Sequence, residues 1–434
     1  MRYLGRAAAA CAVAGCAVAI AACGSSNNNS STSSSGGSSS GGSSGGKVVD
    51  IYSSLPLQGA SSAQTGPLVN GIKLALSQAG GKAGQFKVNY QSLDDSTAAA
   101  GEWDPTTTAA NARKAATDPK TVYYIGEFNS GASEVSIPIL NQAGVPQVSP
   151  ANTYVGLTES IKGASAPGEP QKYYPTGKRT YLRIVPADNI QAAADLLALK
   201  QAGCTKVAVA NDKEAYGAGL ATLLEAEKGF YGIDITSNTG IDPKAPNFRS
   251  YASTIASQGA NCFEFAGIVS NGGVQITKDV HAALPKAKIL GPDGMCTSSW
   301  TNAKNGGVPA SIDPFLLCTV ATLDLAAYPG GKDFLAAYKK AYGVANPDPY
   351  SIYGYEAMKL GLDTIAKLGA NGNNRADVLK ALFATKSRSS VLGTYGFDAN
   401  GDTTLKSYGL YKVGSNGDPV FDKTLTPTKV LTAS

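Results

Sequence analysis

A chain of 434 residues, 43% hydrophobic and only 16% charged, has ample apolar material for one large core or two medium ones, and two domains are expected at this length. A formal charge of +5 with no basic run or basic helix face argues against nucleic acid as a partner. Beyond the N-terminal segment no apolar run is long enough to cross a bilayer.

The chain opens with Arg2 and Arg6 ahead of an apolar stretch over residues 7–22, the charged-then-apolar layout of an export signal, expected here as residues 1–22. The stretch ends in "IAAC", which resembles the bacterial lipobox, where small residues precede a cysteine that takes a lipid. That cysteine is Cys23. Residues 24–46, "GSSNNNSSTSSSGGSSSGGSSGG", hold no side chain able to seed a core, so residues 23–46 are expected to be a lipidated cysteine and a flexible tether. As a coil the tether spans roughly 27 Å. The body is then extracytoplasmic and held to the membrane through its lipid alone.

From Lys47 short apolar strands alternate with helical stretches. "KVVDIY" reads as a strand, "NGIKLALSQAGG" as a helix closed by glycines, "FKVNYQSL" as a strand and "TTTAANARKAAT" as a helix. "VYYIG", "SEVSIPILNQAG" and "VPQVS" continue as strand, helix and strand. After a Pro-, Gly- and Lys-rich loop at residues 162–178 the alternation restarts, from "NIQAAADLLALKQAG" through "KVAVAND" and "CFEFAG" to "AKILGP". Such alternation implies two doubly wound, mainly parallel α/β units. An internal echo supports the pairing: Gly126-x-x-Asn129-Ser130-Gly131 matches Gly267-x-x-Ser270-Asn271-Gly272, each after an apolar strand and before a helix. From Phe315 come a strand, three helical stretches, and two Gly-rich strands joined by "DANGD".

Seven cysteines become four once Cys11 and Cys16 leave with the signal and Cys23 takes a lipid. Cys204, Cys262, Cys296 and Cys318 remain, an even number in an oxidising compartment. No pair has metal-ligand spacing and the one histidine, His281, sits alone in a helical pattern, so disulfides are expected over a zinc site, with three pairings open.

Ligands of open parallel sheets sit beyond the carboxyl ends of the strands. There the segment "IGEFNSGASEVSIPIL" breaks from strand into helix through Asn129, Ser130 and Gly131. Free N–H groups of a first helical turn hold an anion without lysine or arginine. A carboxylate fits this turn; the competing reading is that Ser130 or Ser133 merely caps its own helix. "SPANTY" brings Asn152 and Thr153 to the neighbouring strand end, with the same two readings. In the second unit "GPDG" places Asp293 at a strand end, either as a plain turn residue or as an acid facing an ammonium across a cleft, and "NDKEAYGAGL" places Tyr216 where its ring would wall the ligand. Gly217-x-Gly219 lacks the third glycine of a dinucleotide loop, Thr222 standing in its place. There is no Gly-x-Ser-x-Gly, Walker loop or His-Glu-x-x-His, and Asp94 and Asp95, adjacent on a strand, point opposite ways. No catalytic centre, metal or cofactor is expected.

The stretches "SSLPLQG", "NGIKLAL", "YQSLDDS", "YYIGEFNSG", "PILNQAGVPQVSPANT", "DKEAYGAGL" and "GPDG", in this order, resemble the branched-chain amino-acid type of extracytoplasmic solute-binding protein. The resemblance implies the type I periplasmic-binding fold, two lobes joined by three crossings that close on an amino acid or similar solute and pass it to an ABC permease and ATPase. It implies carboxylate contacts at Asn129, Ser130, Asn152 and Thr153, an aromatic wall at Tyr216 and an ammonium-binding acid at Asp293. Lobe 1 is then expected over residues 47–182 and 324–390 and lobe 2 over 183–323 and 391–434, with crossings at 183–186, 322–324 and 389–393. The family's strand order would pair Cys204 with Cys262 and leave Cys296 with Cys318. Two departures bear on the ligand's side chain: the family's serine-rich run is here Asn-Ser-Gly-Ala-Ser, and a second lobe-2 aromatic of its leucine-binding members falls near Val269, where this chain has none. The expectation is a monomeric, non-enzymatic binding lipoprotein; the alternatives are a ligand-sensing lipoprotein feeding a signalling partner and an envelope hydrolase relying on His281.

Overall fold

A computed structural model describes residues 47–433. The export-signal segment, Cys23 and the tether lie outside the described residues. The first half reads β1 (Val48–Leu55), α1 (Ser62–Gln78), β2 (Lys82–Ala83), β3 (Phe86–Asp94), α2 (Pro105–Thr117), β4 (Thr121–Ile125), α3 (Ser130–Gln142), β5 (Gln147–Ser149) and β6 (Tyr181–Arg183). The second reads α4 (Asp188–Gln201), β7 (Lys206–Asn211), α5 (Ala215–Tyr231), β8 (Asp234–Gly240), α6 (Arg249–Ser257), β9 (Cys262–Ala266), α7 (Gly273–Ala283), β10 (Lys288–Gly291), α8 (Ser298–Thr301) and β11 (Leu316–Val320). The remainder is α9 (Gly331–Tyr342), α10 (Tyr350–Lys367), α11 (Arg375–Phe383), a hairpin of β12 (Arg388–Ser390) and β13 (Gly393–Tyr395), then β14 (Tyr408–Val413) and β15 (Pro419–Leu425).

The strands form two large sheets, one per lobe. The first has the order β2-β3-β1-β4-β5-β6 and is parallel apart from β2. The second has the order β15-β14-β11-β10-β9-β7-β8 and is parallel except that β14 runs antiparallel to both its neighbours, β11 and β15. Strands such as β4 and β9 are buried along their whole length, which is why they read as largely apolar runs rather than alternations, with Glu264 of β9 the exception. Helices cover both faces, so the doubly wound expectation holds. In each sheet the order reverses beside the first strand, at β1 and at β7, opening a crevice at the carboxyl ends.

The chain passes between the sheets three times. It leaves the first after β6, leaves the second after β11, and returns to it at β14. Between the last two passages α10 packs on α1 and α11 on β4, in the first lobe. The α1–α10 contact is close enough to demand glycine on both helices. A Cβ on Gly71 would lie 2.0 Å from the Ser351 carbonyl oxygen, and one on Gly354 would lie 2.1 Å from that of Leu68. At residues 389–393, where a crossing was expected, the chain instead turns back on itself as the β12–β13 hairpin. Arg388 ties that hairpin to Glu356 and Asp363 of α10, and the passage to the second sheet comes later, between Gly401 and Tyr408. Two of the passages are fastened together: the fully buried Arg183 pairs with Asp402 at 2.5 Å, and its backbone N–H donates to the Gly401 carbonyl.

Both expected disulfides are formed, Cys204 with Cys262 and Cys296 with Cys318, with Cα atoms 5.8 and 5.4 Å apart. They lie in the same lobe but at different places. The first joins the amino-terminal ends of the neighbouring strands β7 and β9; the second joins the loop after β10 to β11. Among the described residues no helix is long and apolar enough to cross a membrane.

Candidate functional site

The polar break of the sequence sits where β4 ends against the second lobe. A Cβ on Gly126 would lie 2.9 Å from the Ser54 carbonyl oxygen and 3.0 Å from the Tyr124 ring, so only glycine lets the chain turn there. The helix α3 then starts at Ser130 with Asn129 in the cap position, but neither side chain caps it. Asn129 Oδ1 is buried without a partner, and Ser130 Oγ accepts the N–H of Tyr154 at 3.4 Å. Ser133 is turned toward the next strand's loop, donating to Asn152 Oδ1 and accepting the Glu127 N–H at 3.3 Å. Among the described residues the N–H groups of Ser130, Gly131 and Ala132 find no acceptor. The helix therefore presents its positive end uncapped.

Opposite that end lies Asp293, in the loop between β10 and α8. Its carboxylate is buried and held by three neutral donors. Tyr216 donates to Oδ1, the Gly294 N–H donates to Oδ1 at 2.8 Å, and Tyr350 donates to Oδ2 at 2.5 Å. Burial raises the Asp293 pKa above the ordinary carboxylate range, and the two tyrosine hydroxyls pull it partly back. Gln64 of α1 donates to the Asp293 carbonyl at 3.0 Å, so with Tyr350 of α10 two first-lobe residues grip this second-lobe acid.

Asn129, Ser130, Thr153, Tyr216 and Asp293 line one cavity together with Phe128, Ala151, Ile268, Gly294 and Tyr350. Its volume is about 30 Å³, room for about two water molecules. Among the described residues no lysine, arginine or histidine lines it. Of the six residues picked out in the sequence, Asn152 alone stays outside. Its Oδ1 accepts from Ser133 and from Tyr181 at 3.0 Å, and its Nδ2 donates to the Phe128 carbonyl at 2.8 Å, so its amide braces the two loops that carry the others. His281, in the last turn of α7, packs on Phe315 with ring centroids 4.9 Å apart and lies toward the amino ends of the strands, away from the cavity.

Sequence reasoning missed Tyr350, Phe128, Gln64 and Ile268. Tyr350 opens α10 behind "NPDP", a signal for a helix start that says nothing of which lobe the helix joins. Phe128 stacks edge-on against Tyr350, centroids 5.3 Å apart, forming an apolar wall beside the two polar ends.

Beneath the cavity each lobe buries carboxyl groups without a cation. In the second, Asp195 of α4 and Glu264 of β9 are wholly buried side by side. Burial and the charge of Glu264 raise the Asp195 pKa, and burial pushes Glu264 up to about 8. In the first, Asp95 is pushed up to about 7 by burial, and the neighbouring Glu127 is raised by burial and by the charge of Asp95. Each pair holds a proton near neutrality, since two carboxylates in contact cannot both stay ionised.

Known proteins resemble this chain over most of its length. The family profile described as periplasmic binding protein matches residues 53–418. The Leu/Ile/Val-binding protein BraC3 of Rhizobium johnstonii is 28% identical over 82% of this chain and 89% of its own. An amino acid binding protein of Pseudomonas aeruginosa is 24% identical over 79% of this chain and 83% of its own. Among solved structures, the leucine binding protein LivK of Thermotoga maritima superposes with a TM-score of 0.71 at 24% identity, covering 88% of this chain and 99% of that one. A solute binding protein of an ABC transporter from R. palustris, in complex with benzoate, gives a TM-score of 0.71 at 19% identity, covering 89% and 98%. The fold, its two sheets and the extent of the match agree: the chain belongs to the periplasmic binding protein family.

Proposed function

We propose that the protein binds an α-amino acid, or a similar small solute bearing a carboxylate, between its lobes and delivers it to an ABC importer. The observation that carries this reading is the pairing of an uncapped helix end, at Ser130 to Ala132, with the buried Asp293 in a cavity lined by no cationic side chain. The ligand carboxylate takes the free N–H groups and the Ser130 and Thr153 hydroxyls. The ligand ammonium takes Asp293, and Phe128, Tyr216, Ile268 and Tyr350 enclose its apolar part. A zwitterion brings both charges and leaves neither half of the cavity unpaired. A monoacid such as benzoate, which the R. palustris relative holds, would bring a second negative charge to a site already carrying Asp293.

A cavity of about 30 Å³ is too small for an amino acid, so the lobes part to admit it and close around it by a hinge motion. Contacts to both jaws supply the differential affinity that favours closure. In this reading the protein is a non-enzymatic, monomeric lipoprotein anchored outside the cytoplasm at Cys23. The lobes run over residues 47–182 and 324–390 and over 183–323 and 391–434, except that the hairpin stays with the first lobe and the third passage falls between Gly401 and Tyr408.

Thermal shift against amino acids, their amides and small organic acids tests the reading, because a binder stabilises by mass action. Stabilisation by α-amino acids and not by their amides or by benzoate supports it. Stabilisation by benzoate alone refutes it.

A further inference from the structure

We propose that the Cys296–Cys318 disulfide positions the ligand acid, holding the loop that carries Asp293 in its binding geometry while the cleft is open. This rests on reading Asp293 as the partner of the ligand ammonium.

Asp293 lies in the turn that leaves β10 after Gly291 and enters α8 at Ser298. Within the turn the Met295 N–H donates to the Pro292 carbonyl at 2.9 Å and the Cys296 N–H to the Asp293 carbonyl at 3.2 Å. Cys296 is thus bonded to the backbone of the acid itself. Its sulfur partner, Cys318, stands in β11 directly beside Gly291, where the turn begins. The bridge therefore fastens the far side of the turn to the strand next to its point of departure.

The other holds on Asp293 divide by lobe. Gln64 and Tyr350 belong to α1 and α10 of the first lobe and leave when the lobes part. What stays with Asp293 in an open cleft is Tyr216, the Val269 N–H on the Gly294 carbonyl at 3.3 Å, the turn's own hydrogen bonds and the bridge. An acid whose loop is already ordered loses less conformational freedom on capture, so the bridge acts by preorganisation. The second disulfide provides an internal control. Cys204 and Cys262 join strands of the same sheet at their amino ends, opposite the cavity, and both are buried.

The test compares calorimetric titration of L-leucine into the full chain and into its bridge-free variants, with amide hydrogen exchange over residues 292–297 as a ligand-free arm. Cys296→Ser with Cys318→Ser is expected to weaken affinity about tenfold, or ~1.4 kcal/mol, and to speed exchange in the loop. Cys204→Ser with Cys262→Ser is expected to lower the melting temperature while affinity stays within about twofold. In an Asp293→Asn background, removing the Cys296–Cys318 bridge should change affinity by less than about twofold, since a residue acting through Asp293 has nothing left to position. Should the serine pair not fold, Cys296→Ala with Cys318→Val keeps the buried site apolar and takes its place. Equal affinity losses on removing either bridge, an undiminished loss in the Asp293→Asn background, or unchanged loop exchange overturns the proposal. If leucine does not bind, the exchange arm decides alone; if Asp293→Asn leaves leucine affinity intact, the reading of the acid fails while exchange still reports on the bridge.

Discussion

Replacing Asp293 by asparagine separates affinity from stability. The carboxylate is buried, and its hydrogen-bond partners are Tyr216, Tyr350 and the Gly294 N–H, with no cation among them. The substituted amide would keep an oxygen for one tyrosine and the Gly294 N–H, and the remaining hydroxyl would turn to accept from its NH₂ group. Folding therefore loses little and is relieved of a buried charge. The ligand ammonium, by contrast, loses a charge-assisted hydrogen bond of about 1.5–3 kcal/mol, a weakening of roughly 10- to 150-fold. Calorimetry at pH 7 with the best amino acid of the thermal-shift panel measures the first quantity and a melt without ligand the second. The pH profile adds a signature. Binding requires the ionised acid, and burial raises its pKa, so wild-type affinity should fall on acidification at a higher pH than an ordinary carboxylate would give, while Asp293→Asn stays flat. Equal affinity for the two proteins, or a melting temperature that drops in step with affinity, refutes the reasoning.

Ser130→Ala removes a hydroxyl from the carboxylate end and should weaken the same ligand by about 1.5–3 kcal/mol in calorimetry, with the fold intact. Glu264 has its pKa raised from the ordinary value to about 8, so the folded state holds a proton that the unfolded chain releases. Asp293 is the charged group that faces Asp195 of this pair and Thr319 donates to Asp195 at 2.5 Å, while Arg183 acts on Asp402 and Asp188 instead. The stabilisation is complete below the unfolded pKa and is lost as pH rises to about 8, at no more than ~1.4 kcal/mol per pH unit for this proton. Melting temperature should thus fall between pH 5 and 8, and Glu264→Gln should flatten the slope; a melting temperature that rises with pH counts against the shared proton. Gly354→Ala drives a Cβ onto the Leu68 carbonyl of α1 and should cost about 1–3 kcal/mol in denaturant unfolding, whereas an unchanged midpoint would mean that the helices shift freely.

The alternation of apolar strands with helical stretches was enough to determine two doubly wound α/β units, because strands buried on both faces are mostly apolar and each crossover helix must carry one apolar side. The polar turn proposed to hold the ligand carboxylate was legible for a related reason. It is local: Asn129, Ser130 and Gly131 form one strand-to-helix turn, although whether these capping residue types would cap the helix or leave its N–H groups free was decided only by the structure, in which neither Asn129 nor Ser130 caps it. Asn152 had the same composition as a contact, yet its amide is spent on Phe128, Ser133 and Tyr181, a choice set by how two loops stack. The third passage was misplaced because "SRSSVLGTY" has the length of a connection, while in the fold its two ends pair as a hairpin that Arg388 and Tyr395 fasten to Glu356 of α10.

Tertiary structure alone decided which distant residues share the cavity. Tyr350, far along the chain from Asp293 and in the other lobe, meets it because α10 returns to pack on α1 through Gly71 and Gly354. No sequence period records such a meeting, since it depends on where the chain crosses between sheets and not on local preference. Side-chain type and spacing settled the elements and marked the polar turn at Asn129 to Gly131; the packing of one lobe on the other settled the acid's partners.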